Sequence, residues 1–207
     1  MVKSMKRFLI VLVLLVVIVA AALKLFIYEL PRVAGNDMAP ALQPGDLLLA
    51  NRLSTKPERG QIVLMEHPEI KTRVLLRRVV GLPGERVVVH AEVPAIDGTP
   101  AKRKTVSKVR LTDMGRELPM RLVEESLAGV TYRVLKDPAR RSVDPKPVLL
   151  GPDQYFVLSD NRNHGTDSRT FGPVPADRIR AVVTHRVSAG PGSLSPQEVR
   201  DGWQHLK

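Results

Sequence analysis

The sequence predicts a mainly β protein, with an N-terminal transmembrane helix, a β core and a smaller subdomain inserted into that core. Three observations predict it. Phe8 to Ile27 is one apolar run broken only by Lys24. Beyond it, short aliphatic runs alternate with Gly and Pro turn signals. Between two groups of those runs lies a strongly basic stretch, Thr99 to Lys146.

The apolar run reaches the length of about 20 residues that a helix needs to cross a bilayer. Only a helix bonds all its backbone groups internally in lipid, so a single isolated span must be helical. Lys3, Lys6 and Arg7 precede it and favour an N-terminus kept in the cytoplasm, with the rest of the chain on the outer side. Ala20–Ala22 offer a small-residue cleavage site, but the run exceeds the usual apolar core of a signal peptide. The reading is therefore an uncleaved anchor over residues 1–30, in the cell membrane.

After the anchor, Leu47–Ala50, Gln61–Met65, Val74–Val80, Arg86–His90, Tyr155–Leu158 and Ile179–Val187 are strand-length and aliphatic. Pro44-Gly45-Asp46, Leu82-Pro83-Gly84 and Asp97-Gly98 punctuate them as turns. These runs assign residues 31–98 and 147–188 to the core and 99–146 to the insertion. Within the insertion, Leu118, Leu122 and Leu127 give a rough helical stripe that predicts a helix over Arg116–Leu127. The tail, residues 189–207, begins with Gly-Pro-Gly and reads as loosely held.

The net charge of +11 raises nucleic acid, anionic lipid and acidic proteins as partners. Aromatics are only 4% of residues, too few for base-stacking platforms, and no nucleic-acid-binding motif concentrates the charge. Membrane lipid is the simpler partner, and nucleic acid is not expected. In the insertion, Lys102, Arg103, Lys104, Lys108 and Arg110, then Lys136, Arg140, Arg141 and Lys146, read first as a solvated face. The chain has no cysteine, which excludes disulfides and thiol catalysis. His67, His90, His164 and His185 lack metal-ligand spacing, so no metal or other cofactor is expected.

Three motifs follow in order. The first is Gly35-Asn36-Asp37-Met38-Ala39-Pro40-Ala41-Leu42-Gln43-Pro44-Gly45-Asp46; the second is Leu76-Arg77-Arg78-Val79-Val80-Gly81-Leu82-Pro83-Gly84-Glu85. The third runs from Ser159-Asp160-Asn161-Arg162 through His164-Gly165-Thr166-Asp167-Ser168-Arg169 to Gly172. Together they resemble the signature boxes of the type I signal peptidases, membrane-bound serine proteases that remove signal peptides from exported preproteins. Those boxes read approximately G-x-S-M-x-P-T-L-x-x-G-D, K-R-V-x-G-L-P-G-D and G-D-N-R-x-x-S-x-D-S-R-x-x-G.

The resemblance implies a signal-peptidase-like β core and a cleft that holds an extended peptide by strand addition. It also implies a Ser nucleophile and a buried Lys base, since burial lowers an amine's pKa until it accepts the hydroxyl proton. Here the Ser position is Asp37, the Lys position is Arg77, and the position of a supporting Ser hydroxyl is Gly165. Arginine cannot lose its proton in a protein, and Asp37 has no hydroxyl to activate. Glu85 and Ser159 also depart from the pattern, which has Asp and Gly there.

Met38 and Pro40 are expected to fix an extended turn presenting residue 37. Arg78, Asp160, Arg162, Asp167 and Arg169 are expected to brace the loops by ion pairing. An Asp37–Asp167 protease dyad is disfavoured by Arg77, and Ser168 is expected to cap its loop. The resulting expectation is a family member that binds signal peptides or assists assembly of exported proteins without cutting them, with Asp37 and Arg77 salt-bridged. The alternative is an active signal peptidase with a non-standard site.

Overall fold

The computed structural model describes residues 2–54, 56–70, 72–141, 144–192 and 194, and, in the first helix, the side chains of residues 6, 7, 9–19, 26 and 27. Helix α1 (Val2–Ile27) is followed by β1 (Tyr28–Glu29), β2 (Leu47–Asn51), β3 (Ile62–Glu66), β4 (Val74–Gly81), β5 (Arg86–His90), β6 (Val93–Ile96) and β7 (Thr99–Pro100). Then come β8 (Lys102–Asp113), β9 (Arg116–Leu127), β10 (Val130–Lys136), β11 (Val148–Leu149) and β12 (Gln154–Leu158). The short helix α2 (Ser168–Phe171), β13 (Val174–Pro175) and β14 (Ile179–Ser188) complete the order.

Every described side chain from Leu9 to Val19 is exposed to solvent, on all sides of α1. The expected span also takes in Phe8 and residues 20–25, which lie outside the described side chains. Among the described residues no helix is long and apolar enough to cross a membrane.

The main sheet has seven strands in the order β1-β2-β14-β3-β4-β12-β13. It is covered on both faces, which is why β3 reads as an unbroken apolar run. Ile62 and Leu64 point to one cluster with Met38, Leu42, Leu48 and Ala181. Val63 and Met65 point to the other, with Val79, Val157 and Val182. A strand buried on both faces has no reason to alternate polar with apolar. Gly81 ends β4 where a β-carbon would stand 2.6 Å from Val87 and 2.9 Å from Phe156 and Leu150, so the strand end can pack only without a side chain.

The basic stretch contains a three-stranded antiparallel sheet, β10-β9-β8. The helix expected over Arg116–Leu127 is instead the central strand of that sheet. Leu118, Met120 and Leu122 face one core cluster. Val123 and Leu127 face another, shared with Val87, Val89 and Phe156. Leu118 and Leu122 are four apart, a spacing that fits a helix turn and a strand face equally, and only Met120 between them distinguishes the two. A β-bulge at Val106 in β8 accompanies the switch of buried face between Leu122 and Val123.

The start of the tail is docked rather than loose. Gly190 donates its N–H to Asp46 Oδ1 at 2.8 Å, and Leu194, itself buried, donates to Gln43 Oε1 at 3.0 Å.

Candidate functional site

Residues 36–42 form a hydrogen-bonded turn, not the extended one expected. Ala39 N–H donates to Asn36 O at 3.1 Å and Leu42 N–H to Met38 O at 2.9 Å. Met38 and Pro40 are buried and anchor the turn, while Asp37 stays half-exposed at its lip. Asn161 N–H donates to the Asp37 carbonyl at 2.9 Å, tying the third motif to the first.

Arg77 arrives from β4, the second motif. Its Nη2 lies 2.8 Å from Asp37 Oδ2; its side chain is 1% exposed and that of Asp37 is 38% exposed. Its Nε donates to Thr166 O at 2.7 Å and its Nη1 to Leu76 O at 2.6 Å. The guanidinium is therefore held by all three neighbours: the first motif, its own strand and the third motif. Gly165 lies beside this pair, since a β-carbon on it would be 3.7 Å from Asp37 Cβ. Asp37, Arg77 and Gly165 are thus brought to one place.

The charged residues around them form a dense, largely buried set. Arg78 meets Asp160 in a two-pronged pair at 2.7 and 2.6 Å and lies over the Tyr132 ring, 4.7 Å from its centre. Asp167 is held by Arg169 at 2.8 and 2.6 Å and accepts Ser159 N–H at 2.9 Å. Burial pushes the Asp167 carboxyl up, but Arg169 and the two backbone donors outweigh it and hold the group below its ordinary range. Asp167 is therefore committed elsewhere and is no dyad partner for Asp37.

Arg162 reaches a residue that no motif contains. Its Nη2 lies 2.6 Å from Glu125 Oε1 on β9. Glu125, fully buried, also accepts from Arg103 at 2.7 Å and from Tyr132 Oη at 2.8 Å. Burial would raise the Glu125 carboxyl; Arg162 and Arg103 together bring it below its ordinary range instead. The same burial and the Glu125 charge raise the Tyr132 phenol. The signal available in sequence was the adjacent acidic pair Glu124-Glu125 inside a net basic stretch.

Asp167, not Ser168, caps α2; Ser168 Oγ accepts Val157 N–H at 3.0 Å and so ties the loop to β12. Glu85 accepts Leu82 N–H at 2.7 Å and pairs with Arg59. His67 is buried and accepts backbone N–H groups from Glu69 and Ile70 at 3.2 Å each. His164 contacts Asp137 at 3.1 Å and His90 contacts Asp144 at 2.9 Å. Among the described residues no group of three or more His, Cys, Asp or Glu is placed to hold a metal ion.

A cleft of about 550 Å³ opens at Asp37 and Arg77, lined by Arg32–Gly35 on one side and Arg73–Leu76 on the other. Along it β4 has an edge that no described strand pairs with. Residues 74 to 78 pair with β3, whereas β12 joins β4 only from Arg78 onward. Val79 N–H donates to Gln61 O on the β3 side, so by alternation Val74 and Leu76 turn their peptide groups toward the cleft. Arg77 Nη1 occupies the Leu76 carbonyl, leaving the Leu76 N–H and the Val74 peptide groups along this edge.

The chain is similar to known proteins over most of its length. It is 32% identical over 172 residues to Signal peptidase I of Bacillus caldolyticus, covering 82% of this chain and 85% of that one. It is 29% identical to Signal peptidase I V of Bacillus subtilis strain 168, covering 81% and 90%. To Signal peptidase I of Pseudomonas aeruginosa it is 26% identical over 83% of this chain, spanning 66% of that relative's length. A crystal structure of a signal peptidase I from Enterococcus faecalis V583 matches 62% of this chain and 97% of its own, at 25% identity and a TM-score of 0.37. The sequence model for "Signal peptidase, peptidase S26" matches residues 5–188, and the chain belongs to that family.

Proposed function

We propose that this protein is a non-catalytic member of the signal peptidase family, held by its N-terminal helix at the outer face of the membrane. It binds signal peptides or exported preproteins in the cleft at Asp37 and Arg77. The single observation that carries this reading is the 2.8 Å Asp37–Arg77 pair standing where the resemblance implies a nucleophile and a base. A guanidinium has no lone pair to accept a hydroxyl proton, and this one is held by three acceptors. Asp37 supplies no hydroxyl. The edge of β4 that no described strand pairs with supports binding by strand addition, in which main-chain hydrogen bonds give affinity and side-chain pockets give specificity.

The reading of α1 as an anchor is supported by the uniform exposure of Leu9–Val19, an apolar surface that no part of the described protein covers. Lys6 and Arg7 at its start support a cytoplasmic N-terminus. Membrane lipid is the partner this surface fits.

Fluorescence anisotropy of a labelled signal peptide with an Ala-x-Ala site, titrated with the full chain in detergent, tests the reading. Saturable binding with the peptide intact in mass spectra is expected; cleavage at the site contradicts it.

A further inference from the structure

Residues 159 and 165 stand back to back beside Asp37. A β-carbon built on Gly165 would lie 2.0 Å from Ser159 Oγ and 2.5 Å from Ser159 Cβ. Both are far inside contact distance, so the two backbones share room for one side chain. Gly165 is not in the left-handed region, so a positive φ does not reserve the position for glycine; the close contact a β-carbon would make is with Ser159. Neither segment is free to retreat. Ser159 N–H is bonded to Asp167, and the next residue, Asp160, is clasped by Arg78. On the other side, Thr166 O is bonded to Arg77 Nε, and His164 contacts Asp137.

Ser159 fills the shared slot, fully buried, and its Oγ has no hydrogen-bond partner among the described residues. A buried hydroxyl without a partner is uncommon. The motif resemblance implies Gly at 159 and Ser at 165, and this chain carries the reverse.

We propose that these two departures are one coupled exchange, with Ser159 as the positioning residue that keeps a side chain off residue 165. The proposal rests on the reading above, that positions 37, 77 and 165 are a retired catalytic site. Its consequence is that Asp37→Ser, Arg77→Lys and Gly165→Ser together do not rebuild a hydroxyl site. Ser159→Gly is the required fourth change.

Two measurements on the full chain in detergent test it. The first is thermal unfolding, which does not depend on the functional reading. Gly165→Ser lowers Tm by several degrees, adding Ser159→Gly recovers most of that loss, and adding Ser159→Ala recovers little because the alanine β-carbon still blocks the slot. Equal Tm for Gly165→Ser with and without Ser159→Gly overturns the coupling. The second is cleavage of a preprotein with an Ala-x-Ala site, expected at least tenfold faster with the fourfold variant than with the threefold one. Measurable cleavage that is equal for both variants overturns the proposal. An inactive fourfold variant together with Tm recovery upholds the slot and counts instead against the retired-site reading.

Discussion

Removing one member of the Asp37–Arg77 pair should expose how far the fold depends on it. In Asp37→Ala, the Arg77 guanidinium keeps its bonds to the Thr166 and Leu76 carbonyls but loses the carboxylate that pairs with Nη2. Breaking a fully buried ion pair from one side costs about 3–5 kcal/mol. Asp37 keeps 38% side-chain exposure, so water screens the interaction, and the two carbonyls still satisfy most of the cation. The cost should therefore fall to about 2 kcal/mol, equivalent to a Tm lowered by about 4–8 °C in a chain of this size. Arg77→Met removes the buried charge altogether and should make the loss of Asp37 nearly harmless. Chemical denaturation of the parent, both single variants and the double variant gives the coupling energy, expected at about 1 kcal/mol or more. A coupling within about 0.3 kcal/mol of zero would refute the claim that the two residues act as a unit.

Glu125→Gln should destabilise the protein in a pH-dependent way. Against the upward push of burial, Arg162 and Arg103 lower the Glu125 carboxyl. A lowered folded pKa contributes stability that is present above the unfolded value, about 4.3, and lost as pH falls through the folded value. The gap between parent and variant should be full above about pH 5 and narrow steadily below about pH 4; a gap constant with pH would show that Glu125 is not charged in the fold. Removal of residues 2–27 should move the protein from the membrane fraction to the soluble one, and persistence in the membrane fraction would locate its attachment elsewhere.

Much of the main sheet was legible in the sequence, because β3, β4 and β12 are buried on both faces and read as aliphatic runs. Of the six predicted strands, five lie within a residue or so of β2, β3, β4, β12 and β14 in the main sheet, and the sixth matches β5, which belongs to a four-stranded sheet β11-β5-β6-β7. The inserted sheet was not legible. Lys102, Lys104, Lys108 and Arg110 occupy exposed positions of β8 and mask the buried Val109 and Leu111 that alternate with Arg110. In β9 the four-residue spacing of Leu118 and Leu122 fits two periods at once, and the switch of buried face at Val123 breaks the alternation that would have decided it. At the site, Asp37, Arg77 and Gly165 could be picked out by motif position. The role of Glu125 could not, because its partners come from β8, β10 and the third motif and meet only in the folded chain. The clash between residues 159 and 165 is likewise a through-space fact, invisible to any reading of spacing.

The central claim is that the chain binds its peptide without cutting it. Incubating the purified full chain with a preprotein that carries an Ala-x-Ala site, beside an active signal peptidase as control, measures this directly by mass spectrometry. Intact preprotein is expected from this chain under conditions where the control produces mature protein. Mature protein appearing at the same site, and disappearing in Asp37→Ala or Arg77→Met, would contradict it.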